Sequence, residues 1–229
     1  MIKGKYQLIY TTSTVLCLSI AAPLLLMFII TPWMISRVSQ TAYMAINETC
    51  FWIMGIGVLI VVLFWERQSL RSIGLRHLTV KEGLLSLLLG ILLFILVPTL
   101  GILIERIFGI MTSTMGVVAA LAKYPIWLRA LFAARPGFVE EILYRGYPIE
   151  RLNRLTGSIW LGALISLIIH TAIHIPPLGL GHTIGVVFPI SAILTGLYVW
   201  KRNLTLNITV HFLIDFLALV LLPLLPQLS

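Results

Sequence analysis

The stretch from Gly83 to Ile104, GLLSLLLGILLFILVPTLGILI, contains no charged side chain. A helix that crosses a bilayer needs roughly 20 predominantly apolar residues, so this stretch alone is long enough to span. Uncharged runs also extend from Tyr6 to Ser36, from Thr49 to Trp65, from Leu155 to Trp200 and, apart from Asp215, from Asn203 to Ser229. The run beginning at Leu155 is long enough for two helices and each of the others for one. With the segment around residue 140 they total about seven spans, within a range of six to eight. Composition agrees, with 59% hydrophobic and 10% charged residues and a mean hydropathy of +1.05, far from the balance of a soluble domain. Lipid admits only helices and closed barrels, and these runs are too long and uniformly apolar for barrel strands. The expected fold is an all-α polytopic bundle. No repeat, linker or low-complexity tract divides it, so residues 1–229 read as one membrane domain. Residues 1–104 supply three spans with few polar groups, and residues 125–220 form a core that holds nearly all the buried polarity.

The formal net charge of +8 does not indicate a nucleic-acid partner, because its distribution follows the membrane. In a seven-span arrangement Lys3, Lys5, Arg67, Arg71, Arg76, Lys81, Arg151, Arg154, Lys201 and Arg202 all fall on one side. Arg37, Arg106, Lys123, Arg129 and Arg135 fall on the other. Basic residues concentrate on the cytoplasmic face, which predicts a multi-pass protein of the cell membrane with its N-terminus in the cytoplasm. The first run has the basic flank of a secretion signal, but its uncharged length exceeds a typical cleaved core and favours a retained anchor. Cys17 and Cys50 lack ligand spacing and read as packing residues.

Against this background, Phe138-Val139-Glu140-Glu141-Ile142-Leu143-Tyr144-Arg145-Gly146 places three ionisable groups within apolar sequence. Such groups are costly in a membrane and are functional candidates by default. On a helix from about Pro136 to Arg154, residues four apart share a face. Glu141 then pairs with Arg145, while Glu140 points elsewhere with no sequence-local cation on its own face. The preceding segments, punctuated by Pro125 and Pro136, read as an interfacial or partly inserted pair.

Two further spans carry polar pairs at the same spacing: His170 with His174, and His211 with Asp215. Each has a bland reading, as a polar helix end or as interhelical glue. Carboxylates and imidazoles converging from separate helices also meet the needs of water activation, with a base for the proton and donors for a developing oxyanion. Neither a G-x-S-x-G elbow nor an H-E-x-x-H zinc helix occurs.

These residues resemble the CPBP family of intramembrane proteases, which comprises the CAAX prenyl endopeptidases and bacteriocin-processing proteins and is also called the Abi family. Its first motif, two glutamates, three residues, then arginine and usually glycine, is matched by Glu140, Glu141, Arg145 and Gly146. Its second, phenylalanine, three residues, then histidine with an apolar residue and proline, fits at His174-Ile175-Pro176, with His170 in the phenylalanine position. Its third, histidine, three residues, then asparagine or aspartate, is met by His211 and Asp215. The resemblance covers roughly residues 125–220. It implies an endopeptidase that cleaves a membrane-associated protein or peptide at the bilayer. Glu140 would be the general base and His174 its partner at the water, with His211 and Asp215 at the carbonyl or oxyanion. Glu141 and Arg145 would be a supporting ion pair, with His170 beside them. One or two carboxylates plus two imidazoles could also hold zinc with an open position, so metal dependence stays open at this stage.

Two other classes compete. A proton-coupled transporter would also bury Glu, His and Asp, but it should show inverted repeats with polarity in both halves. A non-catalytic immunity or binding protein could keep the same fold and motifs.

Overall fold

The computed structural model describes residues 2–112 and 114–225. The end of the last uncharged run, residues 226–229, lies outside them, as do the side chains of Lys3 and Lys5. Secondary structure among the described residues is entirely helical. α1 (Ile2–Leu25) continues through a π-turn into α2 (Thr31–Met34), and α3 (Gln40–Ile60) continues through a second π-turn to Trp65. α4 (Val80–Phe108) and the short α5 (Thr114–Leu121) precede α6 (Ile126–Arg135), α7 (Tyr147–Thr156) and α8 (Ile159–Ile173). α9 (Ile175–His182), α10 (Phe188–Lys201) and α11 (Leu204–Phe216) complete the bundle.

Five helices are long and apolar enough to cross a membrane: Tyr6–Met34, Gln40–Trp65, Val80–Phe108, Ile175–Lys201 and Leu204–Leu224. The apolar α8 is shorter, and the glutamate-bearing rod from 126 to 156 carries charge along its length. Together they account for seven elements of the expected bundle. The last two long spans are 44% buried over their most apolar windows, against 22% or less for the first three. The second half is therefore the interior, and the first half wraps it.

α4 shows how sequence directs this packing. The Thr79 side chain and Glu82 form a reciprocal capping box at its start, and Gly109 closes its end in the left-handed conformation, each satisfying groups that a helix end leaves open. Ser86, Gly90, Leu93, Val97 and Gly101 are buried along one stripe, while Leu84, Leu88, Ile91 and Ile95 are exposed to the surroundings. Small residues on the inner stripe let backbones approach where no water drives association. A Cβ at Gly90 would lie 2.8 Å from Leu213 of α11.

The expected helix start at Pro136 is not observed. The rod runs unbroken from 126 to 156, with π-turns at Pro136–Glu140 and Ile142–Gly146 between α6 and α7. Pro136 offers no N–H to the helical ladder, and the register widens locally to i→i+5 instead of breaking. α6 is packed into the protein. Its Leu128, Arg129, Phe132 and Ala133 are buried, and the Arg129 guanidinium donates to the carbonyls of Leu219 and Val220 at 2.8 and 2.7 Å. It thereby closes the end of the final helix.

Several basic segments grouped on one side by the charge count meet at one end of the bundle. Arg151 pairs with Glu66 at 2.6 Å and donates to the Ser72 carbonyl. Arg202 pairs with Glu150, Arg76 donates to the Lys201 carbonyl, and the Leu204 amide donates to the Gly74 carbonyl at 2.7 Å. Arg67, Arg71, Lys81 and Arg154 are exposed at this end.

Candidate active site

The rod 126–156, α8 and α11 bring the chemistry-bearing residues together at similar depth. Glu140 lies eleven residues from Arg151, roughly 16 Å along the axis at about 1.5 Å per residue. His170 and Asp215 each lie eleven residues on from the first residues of α8 and α11, Ile159 and Leu204. These lengths are about half the roughly 30 Å thickness of a hydrocarbon core.

Two glycines allow the close approach. A Cβ at Gly137 would lie 2.9 Å from the Phe212 backbone nitrogen, and one at Gly146 would lie 2.7 Å from the Ile73 carbonyl oxygen. α11 can therefore run against the rod beside His211.

Glu140 is 5% exposed, and its two oxygens have different partners. Oε2 lies 3.0 Å from His170 Nε2 and 3.9 Å from His174 Nε2. His170 Nδ1 lies 2.8 Å from Ser191 Oγ, whereas His174 Nδ1 lies 2.7 Å from the His170 carbonyl oxygen. A carbonyl only accepts, so His174 Nδ1 carries the proton, and in the neutral ring Nε2 presents a lone pair. His170 Nε2 donates directly to Glu140, with Nδ1 accepting from Ser191. At 3.9 Å His174 is too far from Glu140 for a direct bond, and with the ring neutral both facing atoms are acceptors.

Glu140 Oε1 is held by Arg135 Nη1 at 2.6 Å. This corrects the expectation that Glu140 lacks a sequence-local cation. Five residues apart on an α-helix, the two would point roughly 140° from each other at 3.6 residues per turn. The π-turn Pro136–Glu140 spends an additional residue in the turn and brings them onto one face.

Glu141 is fully buried and more connected than an ion pair. Arg145 Nη1 lies 3.1 Å from its Oε1, as the four-residue spacing predicts, though the guanidinium's Nη atoms make no hydrogen bond among the described residues. His211 Nδ1 donates to the same oxygen at 2.8 Å, and Asn207 Nδ2 donates to Oε2 at 3.2 Å and to the Leu194 carbonyl at 2.7 Å. His211 Nε2 then faces Asp215 Oδ2 at 3.6 Å.

A cavity of about 640 Å³ adjoins these groups, lined by Glu140, His170, His174, His211 and Asp215 on its polar side and by residues of α1, α3, α4 and α5 elsewhere. Tyr144 also lines it, edge-on to His170 with ring centroids 4.9 Å apart. Its hydroxyl donates to the Ser19 carbonyl at 2.7 Å. Pro23, four residues on from Ser19, has no N–H, so the carbonyl that α1 leaves open is satisfied from the rod.

Residues 122–217 match the family model described as type II CAAX prenyl endopeptidase Rce1-like. Over these residues the chain is similar to the CAAX prenyl endopeptidase branch of the CPBP family. No curated protein and no solved structure matches the chain. The matched segment contains all three motifs and every residue expected at the site, and the family is one of CAAX-type intramembrane proteases.

Sequence reasoning missed Arg135, Ser191, Asn207 and Glu48, which is 2% exposed and accepts from Arg135 Nε at 3.0 Å. Asn207 carried a signal, since it stands four residues before His211 on the same helix face. Ser191 carried none.

Glu140, His170 and His174 each offer a ligand atom, and these atoms lie within 4.8 Å of one another. Both rings are anchored through Nδ1 and turn Nε2 toward Glu140, the orientation that outer partners give to metal-binding histidines. The donor set therefore fits a zinc-type ion as well as a held water.

Proposed function

We propose that the chain is an intramembrane endopeptidase of the cell membrane that hydrolyses a peptide bond in a membrane-associated protein or peptide with water activated by Glu140. The observation that carries this reading is the 3.9 Å gap between Glu140 Oε2 and His174 Nε2. Two acceptors at that separation are bridged by a molecule with two protons to donate, and water is that molecule. Glu140 takes one proton as the O–H bond breaks, His174 fixes the oxygen's orientation, and the oxygen attacks the carbonyl carbon. His211 has a carboxylate facing each ring nitrogen and can therefore carry a proton on both. We assign its Nε2–H, beside Asp215, to the oxyanion. Glu140 then gives its proton to the amide nitrogen as the oxyanion collapses to a carbonyl and the C–N bond breaks, releasing the amine.

Zinc would bind Glu140, His170 and His174 and would act as a Lewis acid on the water or carbonyl. The roles of His211, Asp215 and Glu141 are the same with or without it. Asp215→Asn is expected to retain appreciable activity, because an amide can still orient His211. Loss of turnover in that variant would require a negative charge at position 215.

Purified wild type and Glu140→Ala, incubated with a library of membrane-anchored peptides, test the class of activity. Products formed only by the wild type support a peptidase. Peptides retained but never cut point to the binding or immunity reading, and uptake of a solute into proteoliposomes points to the transporter.

The orientation is proposed from the basic end, which we place in the cytoplasm with the N-terminus. Cysteines introduced at positions 71 and 202 should be labelled by an impermeant reagent only after cells are opened. Labelling of intact cells would reverse the topology.

A further inference from the structure

The first half of the chain supplies more than a lipid-facing wall. α3 carries Glu48 and Phe51 three residues apart, on one helix face. Glu48 accepts from Arg135 Nε at 3.0 Å, and the Phe51 ring lies under the Arg135 guanidinium, 4.6 Å from ring centroid to Cζ. With its Nε edge and planar face fixed from α3, the guanidinium directs Nη1 to Glu140 Oε1 at 2.6 Å. The Arg135 side chain is 21% exposed and that of Glu48 is 3% exposed, and both residues line the cavity.

We propose that Arg135 is a positioning residue for Glu140 and that Glu48 positions Arg135 in turn, so that a chain Glu48–Arg135–Glu140 keeps the base aimed. This rests on the proposed role of Glu140. Glu48 lies outside the matched segment 122–217, so the clamp extends the site to a helix that none of the three motifs includes. The chemistry favours this arrangement. A carboxylate with both oxygens held cannot rotate, and charge-assisted hydrogen bonds are the strong ones. Arg135 occupies Oε1 and His170 one site on Oε2, which leaves Oε2 with lone-pair capacity for the water proton. Arginine suits the position because its planar fork can bond two carboxylates while stacking on an aromatic ring.

The test reads turnover and folding separately. On a peptide that the wild type cleaves, Arg135→Gln should lower kcat by roughly 10²-fold, the cost of a displaced catalytic group, with KM little changed. Arg135→Lys should recover part of that loss, Glu48→Gln should fall between the wild type and Arg135→Gln, and Glu48→Gln should add little in the Arg135→Gln background. In thermal unfolding in detergent, the losses of Glu48→Gln and Arg135→Gln should likewise be less than additive. An unchanged kcat in Arg135→Gln refutes the positioning role, and additive losses in unfolding refute the link from Glu48 to Arg135. Coupled unfolding together with a wild type that cuts no peptide leaves the clamp standing and overturns the proposed reaction.

Discussion

Glu140→Gln is expected to abolish peptide cleavage while the protein stays folded, whereas Glu141→Gln is expected to lose both activity and stability. The carboxylates are adjacent, but their surroundings give them different work. Glu140 faces the cavity, and an amide of the same shape can still meet the Arg135–His170 site while lacking the basic oxygen. Glu141 is fully buried, and Arg145, His211 and Asn207 all converge on it. Neutralising it leaves the Arg145 charge buried without its counterion, at a cost of about 3 kcal/mol or more. It also frees the His211 ring from the orientation fixed at Nδ1. Thermal unfolding in detergent, read beside turnover, separates the two variants. Equal melting temperatures with activity kept in Glu140→Gln would show that the roles are assigned wrongly.

The second large effect concerns the α8 histidines. His174→Ala removes the lone pair that faces the proposed water and should lower kcat by roughly 10²-fold or more, typical for a positioned acid or base. His170→Phe restores the residue that the family's motif usually carries. It removes the direct bond to Glu140, yet Arg135 and the water site remain, and we expect a loss of roughly tenfold, the low end for one hydrogen bond to a charged group. Single-turnover rates on one peptide suffice. If His170→Phe eliminates cleavage and His174→Ala preserves it, the water partner lies one helical turn earlier.

The helical membrane fold was legible because hydropathy over runs such as Gly83–Ile104 is a physical requirement of lipid. The three polar pairs were legible because four-residue spacing defines a helix face, and the structure brings His170, His174, His211 and Asp215 to one cavity with the Glu141–Arg145 pair linked to it through His211. The arrangement of Glu140 was not legible. It depends on a π-turn at Pro136, which alters the angular relation between residues 135 and 140, and α-helical periodicity hides that relation. Glu48 was missed for another reason. It stands at the margin of an uncharged run, where a charge reads as a solvated helix end, and only tertiary packing turns it inward to Arg135. The wider role of Glu141 was concealed because Arg145 seemed a sufficient partner, while His211 and Asn207 come from a helix more than sixty residues away in sequence.

The central claim is that water held at Glu140 becomes the hydroxyl of a new peptide C-terminus. Cleavage of membrane-anchored peptides by the wild type in ¹⁸O-enriched water, followed by mass spectrometry, tests it directly. The account predicts a single ¹⁸O in the C-terminal carboxylate of the N-terminal product, and no product with Glu140→Gln. Cleavage by Glu140→Gln at the wild-type rate, or a product that carries no solvent oxygen, would contradict it.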